Sequence, residues 1–179
     1  ELGRWVLHQA CREQARHGLM VHVNVSPQEL MNPSYPFQVA EILEETACPP
    51  SRLVLEITET SLIPDERGRD ANQALQALRN LGVGIFLDDF GSGYSSLERL
   101  AELPVNGLKL GQAFTQRLDN PPDPQSPTAR LVAAVLALAK ALGLQVVAEG
   151  VENHGVLTYL RGLGFPLGQG YLLGKPRGI

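Results

Sequence analysis

The feature that most constrains this chain is a strict alternation of strand-like and helix-like segments. The pattern predicts a helix over Leu2–His17, then a strand at Val21-His22-Val23-Asn24-Val25. A helix from about Pro36 to Thr46 leads to Leu53-Val54-Leu55-Glu56-Ile57, and one from about Asp70 to Leu81 leads to Val83–Asp88. A short helix after Ser95 precedes Gly107-Leu108-Lys109-Leu110. The Ala-rich stretch Thr128–Leu142 leads to Gln145–Glu149, and a last helix over about Asn153–Leu163 precedes Gly168-Gln169-Gly170-Tyr171-Leu172. Strands separated by helices pair in parallel through right-handed crossovers, which leaves an α/β barrel or an open doubly wound sheet. No GxGxxG or Walker pattern follows a strand, so the usual marks of the open sheet are missing. Six strands are too few to close an eight-stranded barrel, and the chain opens directly on a helix. A barrel lacking about two strands at its N-terminus reconciles these facts.

Composition narrows the function classes. Hydrophobic residues make up 44% of the 179 residues and charged ones 19%, which fits a folded domain with a sizeable core. Lys and Arg total 15 against 19 Asp and Glu, a net charge of −4, with none of the basic stripe that holds a DNA or RNA polymer. A small anionic ligand remains compatible, because bound cations supply local positive charge. The longest apolar stretch, Leu131–Leu144, is broken by Lys140 and too short to span a bilayer. No signal-peptide pattern is visible, so membrane attachment is expected to lie outside this chain. Cys11 and Cys48 lie far apart in sequence, outside any metal-ligand spacing, and are read as two reduced thiols of a cytoplasmic protein. The segment Asp119–Pro127 holds four prolines in nine residues and is read as a surface loop without chemistry.

Polar groups fall where a buried strand should be apolar. Asn24 alternates with Val23 and Val25, Glu56 sits between Leu55 and Ile57, and Asp88-Asp89 close an apolar run. Lys109 lies between two leucines, Glu149 ends Val146-Val147-Ala148, and Gln169 stands at the last strand. All sit near C-terminal strand ends, the face of a parallel barrel that carries the active site. Each taken singly has a plain reading: Glu56 and Glu59 as a cap and a surface charge, Asp88-Asp89 as a turn, Lys109 as a solvated charge. Six at six strand ends are hard to explain independently. Carboxylates gathered there repel one another unless cations lie between them. Oxygen donors without a well-placed histidine point to Mg2+ or Mn2+ rather than Zn2+. His8, His17, His22 and His154 share no metal-binding spacing and are read as non-ligands.

The ordered runs Val23-Asn24-Val25-Ser26, Glu56-Ile57-Thr58-Glu59, Asp88-Asp89-Phe90-Gly91-Ser92-Gly93-Tyr94-Ser95-Ser96, Leu108-Lys109-Leu110, Ala148-Glu149-Gly150-Val151-Glu152 and Gln169-Gly170-Tyr171 together resemble the EAL family of cyclic di-GMP phosphodiesterases. The resemblance implies a modified TIM barrel in which residues 1–179 are about the C-terminal three-quarters of the domain. It implies hydrolysis of cyclic di-GMP to linear pGpG with two divalent cations, Mg2+ or Mn2+, in the bacterial cytoplasm. Asn24, Glu56 and Asp88 look like metal ligands, with Asp88 bridging the ions, Asp89 on the second, and Glu149 organising that metal and the attacking water. Lys109 resembles the lysine near the water, Glu59 the residue that steadies the glycine-rich loop, and Glu152 and Gln169 substrate-site residues. A homodimer and an upstream sensor or GGDEF-type region are further expectations of the resemblance.

Two departures bear on activity. The Glu-Ala-Leu segment is absent: Leu2-Gly3-Arg4-Trp5-Val6-Leu7 matches a later stretch of the family, so one first-metal ligand is expected to be missing. Gly111 stands where the family usually has aspartate two residues after its lysine. That substitution motivates a second reading, a receptor that binds cyclic di-GMP without cutting it. A third, a Schiff-base enzyme with Lys109 as nucleophile, is disfavoured because nearby aspartates hold an amine in its charged form.

Overall fold

The computed structural model describes residues 1–62, 71–91 and 97–176, which divide into two compact units. The first comprises Glu1–Leu87 with Gly93–Asn106, and the second Asp88–Ser92 with Gly107–Ile179. The expected helix start at Asp70, and Ser95, after which a short helix is expected, lie outside the described residues.

In the first unit, helix α1 (Leu2–His17) ends on Gly18, whose φ of 67° supplies the left-handed turn that a helix C-terminus favours. Strand β1 (Val21–Asn24) leads to α2 (Pro27–Leu30), one turn that the sequence reading did not anticipate. Its signal was there: Ser26 and Glu29 form a reciprocal capping box, with Pro27 at the first helical position. Helix α3 (Tyr35–Thr46) follows, then β2 (Leu53–Thr58), α4 (Asn72–Asn80), β3 (Gly84–Phe90) and α5 (Leu97–Glu102). The strand order here is β1-β2-β3. β1 and β2 pair in parallel with Val21 opposite Leu53, His22 opposite Val54 and Asn24 opposite Glu56. On β2, Leu53, Leu55 and Ile57 are buried together with Val39 and Ile42 of α3 and Leu75 of α4. The intervening Val54 and Glu56 belong to the opposite face, because side chains alternate along a strand.

The two cysteines, distant in sequence, are neighbours in this unit. Both are free and both are buried, with the Cys48 thiol near enough to act on Cys11. Burial first, then the Cys48 thiol, pushes Cys11 up to about 12 from an ordinary 9.0.

The second unit takes the end of β3 and continues with β4 (Gly107–Leu110), α6 (Gln112–Gln116), α7 (Pro127–Ala141), β5 (Gln145–Ala148), α8 (His154–Leu163) and β6 (Leu167–Gly168). Its strand order is β3-β4-β5-β6. β4 pairs in parallel with β5, Lys109 opposite Val147, and β5 with β6. Ser126 caps α7 by accepting from the Ala129 N–H, and Asn153 caps α8 by accepting from the Val156 N–H. Helix α6 was not expected.

The last strand is shorter than the predicted Gly168–Leu172. Gln169 still donates to the Ala148 carbonyl at 2.8 Å, but Leu173 and Gly174 turn back to donate to the Gly170 carbonyl. A Cβ at Gly170 would lie 2.3 Å from the Val151 backbone, so the chain bends where only glycine fits. No described helix is long and apolar enough to cross a membrane.

Because the folded Cys11 thiol holds its proton more tightly than an unfolded one, its contribution to stability is full below about pH 9 and fades as pH rises toward about 12. The stability difference between wild type and Cys11→Ala, measured by urea denaturation, should therefore shrink above pH 9. A difference independent of pH would contradict this account of the buried pair.

Candidate functional site

The second unit brings four of the expected residues together. Every residue of β4 is buried, and Lys109 is only 4% exposed. A lone buried ammonium costs several kcal/mol, so it must find anionic partners. Its Nζ lies 2.7 Å from Glu149 Oε1 and 3.2 Å from Asp88 Oδ1. The ladder explains this geometry. Lys109 pairs with Val147, and Glu149, two residues further on, falls on the same face. The Glu149 N–H donates to the Leu110 carbonyl at 3.1 Å, carrying the pairing past the end of β5.

Asp89 adopts φ 52°, in the left-handed region that aspartate tolerates better than most side chains. Its N–H donates to Asp88 Oδ1 at 3.0 Å. In that conformation Asp88, Asp89 and Glu149 each present an oxygen within 4.8 Å of the others. Three carboxylates around one ammonium, when ionised, leave a surplus of two negative charges among these four groups. Burial raises the Glu149 carboxyl above its ordinary range. Lys109 opposes the rise through its hydrogen bond and charge, while Asp88 and Asp89 add to it. Hard, convergent carboxylate oxygens with surplus negative charge are a donor set suited to a divalent cation.

Two glycines shape this corner. Gly150 has φ 63°, and a Cβ there would lie 2.6 Å from Gln112 Cβ and 2.9 Å from Thr115 Oγ1. Its absence lets α6 close on the strand end, where the buried Thr115 hydroxyl donates to the Glu149 carbonyl. At Gly111 a Cβ would lie 3.1 Å from Asp89 Oδ1, so the Asp89 carboxylate leans toward the space a side chain at 111 would need.

Beside Glu149 opens a cleft of about 480 Å3 lined in part by Gln112, Glu152, Gln169, Tyr171 and Lys175. Glu152 and Gln169 thus reach the same cleft as Glu149 from two loops, both exposed. The Lys175 ammonium stands 5.7 Å from the centroid of the exposed Tyr171 ring. Tyr171 lies within one of the motif runs without a role of its own there, and Lys175 and Thr115 carry no sequence signal.

In the first unit, Asn24 stands exposed at the end of β1, opposite the buried Glu56. His22 Nδ1 lies 2.8 Å from Glu56 Oε1. Glu59 is buried at the head of a single 3-10 turn, Glu59–Leu62, directly after β2. Of the glycine-rich run after Asp89, Ser92–Ser96 lie outside the described residues, so the loop-steadying role expected of Glu59 has no geometry here. His22 was dismissed for lack of metal spacing. The signal that finds it is period 2, which puts it on the face of Asn24.

The model of the EAL domain matches residues 1–176. This chain belongs to the EAL domain family. It is 41% identical to an uncharacterized signaling protein of Caulobacter vibrioides, over 98% of this chain and 21% of the relative. It is 37% identical to the cyclic di-GMP phosphodiesterase PdeR of Escherichia coli, over 98% of this chain and 26% of that protein. This chain thus spans about a quarter or less of the length of these relatives. Among solved structures it superimposes on the PaMucR phosphodiesterase in complex with c-di-GMP with a TM-score of 0.88 and 37% identity, covering 98% of this chain and 76% of that one. The fold is the TIM-barrel-like α/β fold of EAL domains, as the strand–helix alternation and the motif order imply.

Gly111→Asp adds a fourth carboxylate to the acidic corner, whereas Gly111→Ala adds only a Cβ. In chelator the Asp variant should melt below the Ala variant, and added Mn2+ should narrow or reverse that gap. An unchanged gap would mean that this corner does not hold cations.

Proposed function

We propose that this EAL domain hydrolyses cyclic di-GMP to linear pGpG with two divalent cations, Mg2+ or Mn2+, as cofactors. The observation that carries the proposal is the Lys109 ammonium buried against Asp88 and Glu149 beside an excess of carboxylate oxygen. The names of relatives support it: PdeR is a cyclic di-GMP phosphodiesterase, and so is RocR of Pseudomonas aeruginosa, 39% identical over 86% of this chain and 38% of its own length. The donor set fits the cofactor, since Asp88, Asp89 and Glu149 converge without a competing soft ligand among them. Following the family resemblance, Asn24, Glu56 and Asp88 are the proposed ligands of one ion, with Asp88, Asp89 and Glu149 serving the other. When bound, such a pair supplies a water acidified toward neutral pH and a clamp on developing oxygen charge.

The remaining tasks fall to the chain's own groups. Lys109 is held charged by two carboxylates, so it serves as a hydrogen-bond donor that orients water and stabilises anionic charge rather than as an amine nucleophile. Glu149, anchored through its backbone to Leu110 and Thr115, offers a carboxylate to the water. Glu152 and Gln169 give the cleft polar edges for guanine, and Glu59 is assigned the support of the loop after Asp89. We further assign the reaction to the bacterial cytoplasm. A sensor or GGDEF-type region elsewhere in the full protein and a homodimeric assembly complete the proposal. The first is supported by MucR, named a bifunctional diguanylate cyclase and phosphodiesterase, of which this chain spans 26% of the length.

Gly111 favours a second reading, a receptor that binds cyclic di-GMP without turnover, because a carboxylate common in the family is missing beside Lys109.

Chromatographic assay of the full-length protein should show pGpG with Mn2+ or Mg2+ and none in chelator. Glu56→Gln and Asp88→Asn should each lower the rate by at least about 100-fold, the scale of losing a group that fixes a metal or transition-state charge. Near-normal rates in either variant at saturating metal would remove the ligand assignment. Tight binding that persists in chelator, with no product under any condition, would establish the receptor instead.

A further inference from the structure

The His22–Glu56 contact carries an inference beyond the resemblance, which assigns no role to position 22. We propose that His22 is a positioning residue that fixes the Glu56 carboxylate for cation binding; this rests on the reading of Glu56 as a metal ligand. The placement follows from the ladder. His22 and Asn24 lie on one face of β1, and Asn24 is opposite Glu56 while His22 is opposite Val54. His22 is therefore one layer below Glu56 on the neighbouring strand, close enough for Nδ1 to reach Oε1 at 2.8 Å. With Glu56 ionised, only the tautomer that carries its proton on Nδ1 can donate across this contact.

The His22 side chain is 36% exposed, and its inner side rests on one aromatic neighbour. It meets Phe86 of β3 edge to face, with centroids 5.7 Å apart and planes at 79°. Glu56 is 5% exposed, so its second oxygen has few places to point once the first is engaged. A carboxylate bonded through one oxygen to a ring that is itself braced keeps a single orientation. That pre-organisation is what a group behind a metal ligand contributes.

The test uses the full-length protein without substrate, titrated with Mn2+ and followed by electron paramagnetic resonance. His22→Leu keeps an apolar body beside Phe86 but removes the donor. His22→Asn keeps a short N–H donor. His22→Leu should weaken Mn2+ binding by about 10- to 100-fold, the scale of losing a group that orients a ligand. His22→Asn should recover most of the loss. In a Glu56→Gln background, His22→Leu should add no further loss.

Thermal melting in chelator separates a folding defect from a binding defect. The inference is overturned if His22→Leu binds Mn2+ as the wild type does, or if the Leu and Asn variants are equally weak. Wild-type protein that binds no Mn2+ would overturn the ligand reading of Glu56 itself, a distinct failure. One readout needs no variant: the 15N resonance of His22 Nδ1 should report a protonated nitrogen and shift on addition of Mg2+. A resonance indifferent to Mg2+ overturns the inference even if His22→Leu does not fold.

Discussion

The Lys109 ammonium, buried in β4 and held between Asp88 and Glu149, is the interaction on which the rest of the site depends. Burying a cation is costly unless its partners are close, and the parallel ladder supplies them from the ends of the two flanking strands. The same arrangement leaves the carboxylates in excess. The proposed cations would complete the balance, and burial already disfavours the ionised form of Glu149 in their absence.

The backbone around this corner is shaped to leave room for chemistry. Gly150 lets α6 approach closely enough for Thr115 to hold the Glu149 carbonyl, and Gly170 lets the chain cross Val151 and place Gln169 and Tyr171 on the cleft. Gly111 is different. Its backbone lies outside the left-handed region, and what it provides is space, toward which the Asp89 carboxylate leans. Residue 111 adds no carboxylate of its own, and the nearest acidic group to that space is Asp89.

Much of this was legible from residue order. Alternating apolar runs gave the strands within one or two residues at β2 and β4, where buried leucines make the period plain. The polar interruptions Asn24, Glu56, Asp88, Lys109 and Glu149 marked strand ends because, taken together, they are hard to explain inside apolar runs. Short elements were less legible. Helix α2 rests on a capping box rather than on apolar periodicity, α6 is too brief to show a period, and β6 is cut short by a backbone crossing at Gly170 that depends on distant Val151. Pairings between remote segments were invisible for the same reason. Cys11 with Cys48, and His22 with Glu56, meet only through the packing of α1 against α3 and the register of β1 on β2.

The central claim is that the carboxylates beside Lys109 are a cation site rather than a self-contained ion-pair network. Crystals of the full-length protein grown with Mn2+ and measured at the manganese absorption edge test it directly. The account predicts an anomalous peak coordinated by oxygens of Asp88, Asp89 and Glu149, with Lys109 still buried beside it. An ordered corner without a peak at saturating Mn2+, with Lys109 bridging Asp88 and Glu149 unchanged, would contradict it.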